Sequence, residues 1–250
     1  MQRRTFLQAG LLATSFSLPG KYALAAHPLQ SALRLAGNDE PPLVINAGIG
    51  GNNTVEMLAR IEKDCLSHHP DLTVFMAGTN DMNSRKHVPL KDYEKNMRDM
   101  VKMISSTGSK VLLMTILPAY EPYLYTRHPK EFYDPEGYVA RRKAVNEVIA
   151  TIAADTGQTL LDMGHIFERA GNIGIEKDSL IENELNSGKT DGVHPTPEGY
   201  RLMGVVVYDC IMQRQLPHKR IVCFGDSITH GDGGTEGHSY PAYLKKLLVP

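Results

Sequence analysis

Residues 220–234, RIVCFGDSITHGDGG, decide how this chain folds. A continuous apolar run, Ile221 to Phe224, leads straight into Gly225-Asp226-Ser227. Continuous apolar residues suit a strand buried on both faces, and a tight Gly-Asp-Ser turn after it lifts a hydroxyl to the edge of the sheet. In open α/β sheets that edge, outside the carboxyl ends of the strands, is where ligands bind.

Four more apolar runs, 43–46, 72–77, 111–117 and 159–161, read as strands of the same kind. Amphipathic helices are expected between them. One spans 54–67 behind Asn52 and Asn53, with Leu58, Ile61 and Cys65 on one face. A second spans 90–106, repeats Tyr93, Met97, Met100, Val101 and Ile104, and stops at Gly108. A third, 138–155, stops at Gly157. A last long helix has Thr196 as N-cap and Pro197 at its first position, and buries Met203, Val206, Val207, Cys210 and Ile211. Alternating strands and helices predict a parallel sheet covered on both sides, an α/β three-layer sandwich. The segment 119–137, AYEPYLYTRHPKEFYDPEG, reads as a long Pro- and Tyr-rich loop.

The 250 residues are 42% hydrophobic and 22% charged, which suits one soluble domain with a proper core. A formal net charge of -1 and the lack of a basic run argue against a nucleic-acid partner. Residues 1–25 read as an export signal, leaving 26–250 as the single domain. Arg3 and Arg4 precede Thr5, Phe6 and Leu7 in a twin-arginine-like pattern, and Ala23-Leu24-Ala25 offers a cleavage site. The apolar stretch is too short to span a membrane, so the protein is expected to be periplasmic or secreted, without a stable membrane anchor. Cys65, Cys210 and Cys223 have no metal-ligand spacing and read as small buried hydrophobes; pairing of Cys210 with Cys223 stays open.

Three further polar motifs accompany the serine turn: 46–52, NAGIGGN; Gly78-Thr79-Asn80-Asp81; and Asp191-Gly192-Val193-His194-Pro195. Each alone is ordinary turn chemistry. Together they supply what acyl transfer needs: Ser227 as nucleophile, His194 as its base, and Asp191 to orient the imidazole. The N–H groups of Ser227 and a glycine, with the Asn80 amide, can receive the oxyanion, where losing one donor costs roughly 10²–10³ in rate. His230 and His238 lie near Ser227 in sequence, but only His194 has an acidic partner at triad spacing. His68, His69 and His128 read as solvated, and Asp81 and Asp226 as partners of their own turns.

The four motifs resemble the consensus blocks of the SGNH (GDSL-type) esterase and lipase family across nearly the whole chain after the signal. The resemblance implies a flavodoxin-like, five-stranded parallel sheet, catalytic Ser227, His194 and Asp191, and an oxyanion hole of Ser227, Gly51 and Asn80, with Gly50 competing for the glycine's place. It implies no metal and no organic cofactor. The block order, however, is Gly51, Asn80, Asp191/His194 and then Ser227, whereas the family begins with its serine. The chain therefore reads as circularly permuted, joined through 213–219. Seven residues reach about 23 Å when extended, enough to link a helix to a neighbouring strand. Kept sheet order then requires strand 221–224 to lie between strands 43–46 and 72–77. A gene fusion or truncation is the alternative origin of this order.

The expected activity is that of an exported serine esterase on O-acyl esters, specifically acetyl esters of a small molecule or carbohydrate. Tyr120, Tyr123 and Tyr125, with Tyr133, are candidates to wall the substrate site. A lysophospholipase or thioesterase, and a non-catalytic carbohydrate-binding protein, are the alternatives.

Overall fold

The computed structural model describes residues 40–249, and the export signal read at 1–25 lies outside them. The apolar runs form β1 (Leu43–Gly48), β2 (Leu72–Met76), β3 (Lys110–Met114), β4 (Thr159–Leu161) and β5 (Arg220–Gly225). All pair in parallel, in the order β1-β5-β2-β3-β4. The last strand in the chain thus lies between β1 and β2, where the sequence placed it: Val222 is in register with Ile45 on one side and Thr73 on the other.

The helices are α1 (Thr54–Asp64), α2 (Leu90–Ser106), α3 (Glu121–Arg127), α4 (Gly137–Thr156), α5 (Met163–Ala170), α6 (Glu184–Ser187), α7 (Pro197–Gln213), α8 (Ser227–His230) and α9 (Tyr240–Leu248). Successive side chains of β5 point to opposite faces. Phe224 lies under Arg60 of α1, 4.5 Å from ring centroid to Cζ, while Cys223 meets Tyr240 of α9. Helices α1, α2 and α4 pack in series on the first face; α7 and α9 pack together on the second, with α9 against β1. Caps set their starts. Asn53 and Glu56 form a reciprocal capping box on α1, and Thr196 accepts the Gly199 N–H ahead of Pro197 on α7.

The apolar run at 111–117 is longer than its strand. β3 ends at Met114: the Thr115 N–H still reaches Leu161 O of β4, but the Ile116 N–H turns to the Asn146 side chain and leaves the ladder. The expected loop at 119–137 is mostly folded, as α3 and a 3₁₀ turn, Lys130–Tyr133. Tyr133 is buried in the core there, so it does not face a substrate. His128 is also buried, its Nδ1 3.0 Å from Ser84 Oγ, which corrects its reading as solvated. Cys65, Cys210 and Cys223 are all free; Cys65 and Cys223 are buried and Cys210 half-buried. Among the described residues no helix is long and apolar enough to cross a membrane.

Two glycines let α8 settle onto the strand ends. A Cβ on Gly48 would lie 2.2 Å from the His230 backbone nitrogen, and one on Gly225 would lie 2.0 Å from Thr229 Oγ1. This close approach brings Ser227 to the carboxyl edge beside the loop that follows β1.

Candidate active site

Ser227 opens α8, and Asp226 caps it by accepting the Ile228 N–H at 2.9 Å. The Asp226 carboxyl is fully buried, and burial raises its pKa to about 6 against the pull of that N–H and of His194. The serine hydroxyl Oγ lies 3.0 Å from His194 Nε2. On the other side of the ring, Nδ1 is 3.0 and 2.9 Å from the two Asp191 carboxylate oxygens. A carboxylate on Nδ1 keeps the proton there, which leaves Nε2 as the acceptor for the serine.

Asp191 is itself fixed. Its Oδ1 accepts the N–H groups of Val193 and His194, at 2.9 and 2.7 Å. Burial works to raise its pKa, but the bonds and charge of His194 outweigh burial and hold the carboxylate well below its ordinary range. For His194, burial works to lower the pKa; the hydrogen bond and charge of Asp191, helped by Asp226, reverse this and raise it.

Helix α3 supports the same turn from outside. Arg127 Nη1 lies 3.3 Å from Asp191 Oδ2 and its Nη2 donates to the Asp191 carbonyl. The Tyr120 N–H donates to Gly192 O at 2.7 Å. Gly192 has φ +72, and a Cβ there would lie 2.8 Å from both Tyr120 O and Tyr123 Cβ, so the turn needs a glycine twice over. Tyr120 and Tyr123 stack edge to face at 4.9 Å beside this turn, with the Tyr123 hydroxyl 3.4 Å from Glu184. Tyr125 turns away and donates to Glu121.

The oxyanion candidates converge from three strands. Gly50 and Gly51 follow β1, and neither N–H has an acceptor among the described residues. Gly50 is the one against the nucleophile: a Cβ built on it would lie 4.0 Å from Ser227 Cβ, whereas nothing lies within 4 Å of one on Gly51. Asn80 follows β2. Its Nδ2 donates to Asn52 O at 3.0 Å and lies 3.5 Å from Asp226 Oδ2, and its Oδ1 accepts from Asn83. The structure thus gathers Ser227, His194, Asp191, Asn80 and the glycine pair at one sheet edge. His230 is turned away from the base's role, its Nδ1 on Gly48 O at 3.0 Å, and His238 has its Nδ1 on Tyr243.

The sequence reading missed Arg60. From α1 its Nη2 donates to Gly225 O at 2.7 Å, its Nη1 to Ala47 O at 2.9 Å and its Nε to the Asn52 side chain at 2.7 Å. One guanidinium therefore ties the end of β1 to the end of β5 and holds the loop whose carbonyl steadies Asn80. A signal existed: Arg60 sits three residues after Met57 and one before Ile61, beside the buried stripe of α1, where a charge needs partners.

The GDSL-like Lipase/Acylhydrolase family matches residues 17–202, a span that holds Gly51, Asn80, Asp191 and His194 and stops before Ser227. A Bacillus subtilis (strain 168) protein named "Uncharacterized lipoprotein YqeF" is 26% identical over 184 residues, 69% of this chain and 73% of that protein. An acetylxylan esterase of Geobacillus stearothermophilus is 34% identical over 80 residues, 29% of this chain and 36% of that enzyme. Among solved structures, the acetyl xylan esterase AlAXEase shares the fold with a TM-score of 0.53 at 23% identity, over 73% of this chain and 88% of that one. The chain belongs to the GDSL-like lipase/acylhydrolase family and is a carboxylic ester hydrolase.

Proposed function

We propose that this protein is an exported serine esterase that removes acetyl groups from carbohydrate hydroxyls through Ser227, His194 and Asp191. The observation that carries this is the unbroken contact from Ser227 Oγ to His194 Nε2, 3.0 Å, and from His194 Nδ1 to Asp191, 2.9 Å. Ser227 Oγ bonds to the ester carbonyl carbon as its proton passes to His194 Nε2. The carbonyl oxygen, now an oxyanion, is received by the N–H of Ser227, the N–H of Gly51 or Gly50, and Asn80 Nδ2. His194 returns the proton to the departing alcohol oxygen, and the acyl group stays on Ser227. Water, deprotonated by the same imidazole, then releases the acid and restores the serine.

The substrate class is supported by the relative named an acetylxylan esterase, and export by residues 1–25 and by the relative named a lipoprotein. Tyr120 and Tyr123, half-buried beside the Asp191-Gly192 turn, line the approach of the ester in this reading. The chain order is a circular permutation of the family's. Its support is β5 paired between β1 and β2, α9 packed on β1, and a family match that ends before the serine.

Initial rates on p-nitrophenyl acetate, butyrate and octanoate and on an acetylated xylo-oligosaccharide test the reading. Falling kcat/KM with acyl length, together with acetate release from the oligosaccharide, is expected; a preference for octanoate or for lysophospholipid contradicts it.

A further inference from the structure

A cavity of about 520 Å³ opens beside the catalytic histidine, between the segment that carries Glu182 to Tyr200 and the loop that follows α8. His194 forms part of its wall, and the rest includes Glu182, Lys189, Tyr200, Asp232 and His238. Gly50, Gly51 and Asn80 are not among its walls; they lie on the loops after β1 and β2. His194 therefore stands between two spaces. The carbonyl belongs on the side of Asn80 and the glycines, and the alcohol oxygen must reach His194 Nε2 to take its proton.

Two side chains that line the cavity have polar atoms that no other described residue engages. Tyr200 has a buried ring, and its hydroxyl, which makes no hydrogen bond among the described residues, keeps access to solvent on the cavity side. Burial and the surrounding carboxylates Asp226, Glu182, Asp191 and Asp232 push its pKa up, so it remains a neutral donor. His238 has Nδ1 on the Tyr243 hydroxyl at 3.1 Å and leaves Nε2 without a partner. Around them lie acceptors and a cation: Glu182 with both oxygens 2.9 Å from Lys189 Nζ, and Asp232, which accepts the His238 N–H at 2.6 Å.

We propose that this cavity holds the alcohol half of the ester as a polyhydroxylated ring, with Tyr200 and His238 bonding its hydroxyls. The assignment rests on the esterase reading above and adds where the sugar sits. A donor that keeps solvent access bonds to water while the cavity is empty; an aliphatic alcohol would displace that water without replacing its hydrogen bond, whereas a ring hydroxyl replaces it. A ring hydroxyl can accept from Tyr200 while donating to Asp232 or Glu182. The volume falls in the range of small-molecule sites, far more than an acetyl group needs.

The test compares kcat/KM for a monoacetylated methyl xylopyranoside with kcat/KM for ethyl acetate, whose alcohol half has no hydroxyl. Parent, Tyr200→Phe and His238→Ala proteins are measured; His238 is exposed, so its replacement leaves the core intact. Each variant is expected to lower the sugar-to-ethyl ratio about three- to tenfold, mainly through KM, the loss expected for one hydrogen bond. If the parent hydrolyses both esters and neither variant moves the ratio by more than twofold, the cavity assignment is overturned and the esterase reading stands. If the folded parent hydrolyses neither ester, the esterase reading falls, and the cavity assignment with it.

Discussion

Replacing Arg60 by methionine keeps the apolar stem and removes the guanidinium, which isolates what that group does. The Arg60 side chain is 13% exposed and donates to Gly225 O, Ala47 O and Asn52 Oδ1, at 2.7, 2.9 and 2.7 Å. Hydrogen bonds to a charged group are worth about 1.5–3 kcal/mol each, and water entering beside the shorter side chain recovers part of the loss. A net destabilisation of about 3–5 kcal/mol follows, a large share of the roughly 5–15 kcal/mol that holds a domain together. Activity falls as well, because Asn52 O is the acceptor that steadies the Asn80 amide. A displaced oxyanion donor predicts a kcat loss of about 10²-fold in whatever fraction remains folded. Urea unfolding followed by far-UV circular dichroism gives the first number, and p-nitrophenyl acetate hydrolysis below the unfolding transition gives the second. A loss under about 1 kcal/mol with kcat within threefold of the parent refutes the reasoning: parallel pairing of β1 with β5 would then suffice to hold the site.

The raised pKa of His194 places the acid limb of kcat/KM above the ordinary histidine value of about 6.5, since only the neutral ring accepts the serine proton. Asp226→Asn keeps an oxygen for the Ile228 N–H but removes a negative charge near the ring, so that limb should move to lower pH; a shift upward contradicts the assignment. The same substitution tests stability. Asp226 titrates near 6 when folded, above its ordinary 3.8, so the native state binds the extra proton and the parent loses stability as pH rises from about 4 to about 6. Thermal melts across that window should show the Asn variant with a weaker slope. Gly48→Ala drives a methyl group into the backbone of His230 and should cost about 1–3 kcal/mol, several degrees in Tm, with a larger loss in kcat because α8 carries Ser227; an unchanged Tm refutes the tight approach.

What the sequence disclosed and what it concealed divide along range of interaction. The strand 220–225 was legible because four apolar residues and a Gly-Asp-Ser turn are local signals, and helix 90–106 because its stripe and its stop both lie within the segment. The position of β5 in the sheet followed from the sheet order that the resemblance to the SGNH family implies, and it is the order found. The strand at 111–117 came out too long because hydropathy does not report where the neighbouring ladder ends. Segment 119–137 was read as a loop on its prolines and tyrosines, although Pro122 is compatible with the first turn of a helix. Arg60 and Arg127 were missed for one reason. Their partners lie 165 and 64 residues away, and a lone arginine in a helix carries no sign of which carbonyls it will reach. Tyr200 was hidden in the same way, among the apolar residues of α7.

The central claim is that the nucleophile is Ser227, far along the chain from its histidine's motif and after it. A fluorophosphonate probe reacts with serines activated by a neighbouring base, and digestion with mass spectrometry locates the adduct. Stoichiometric labelling of the peptide that carries Ser227, abolished by Ser227→Ala and by His194→Ala together with p-nitrophenyl acetate hydrolysis, is the predicted result. Labelling of another serine, or full activity in Ser227→Ala protein, would contradict the account.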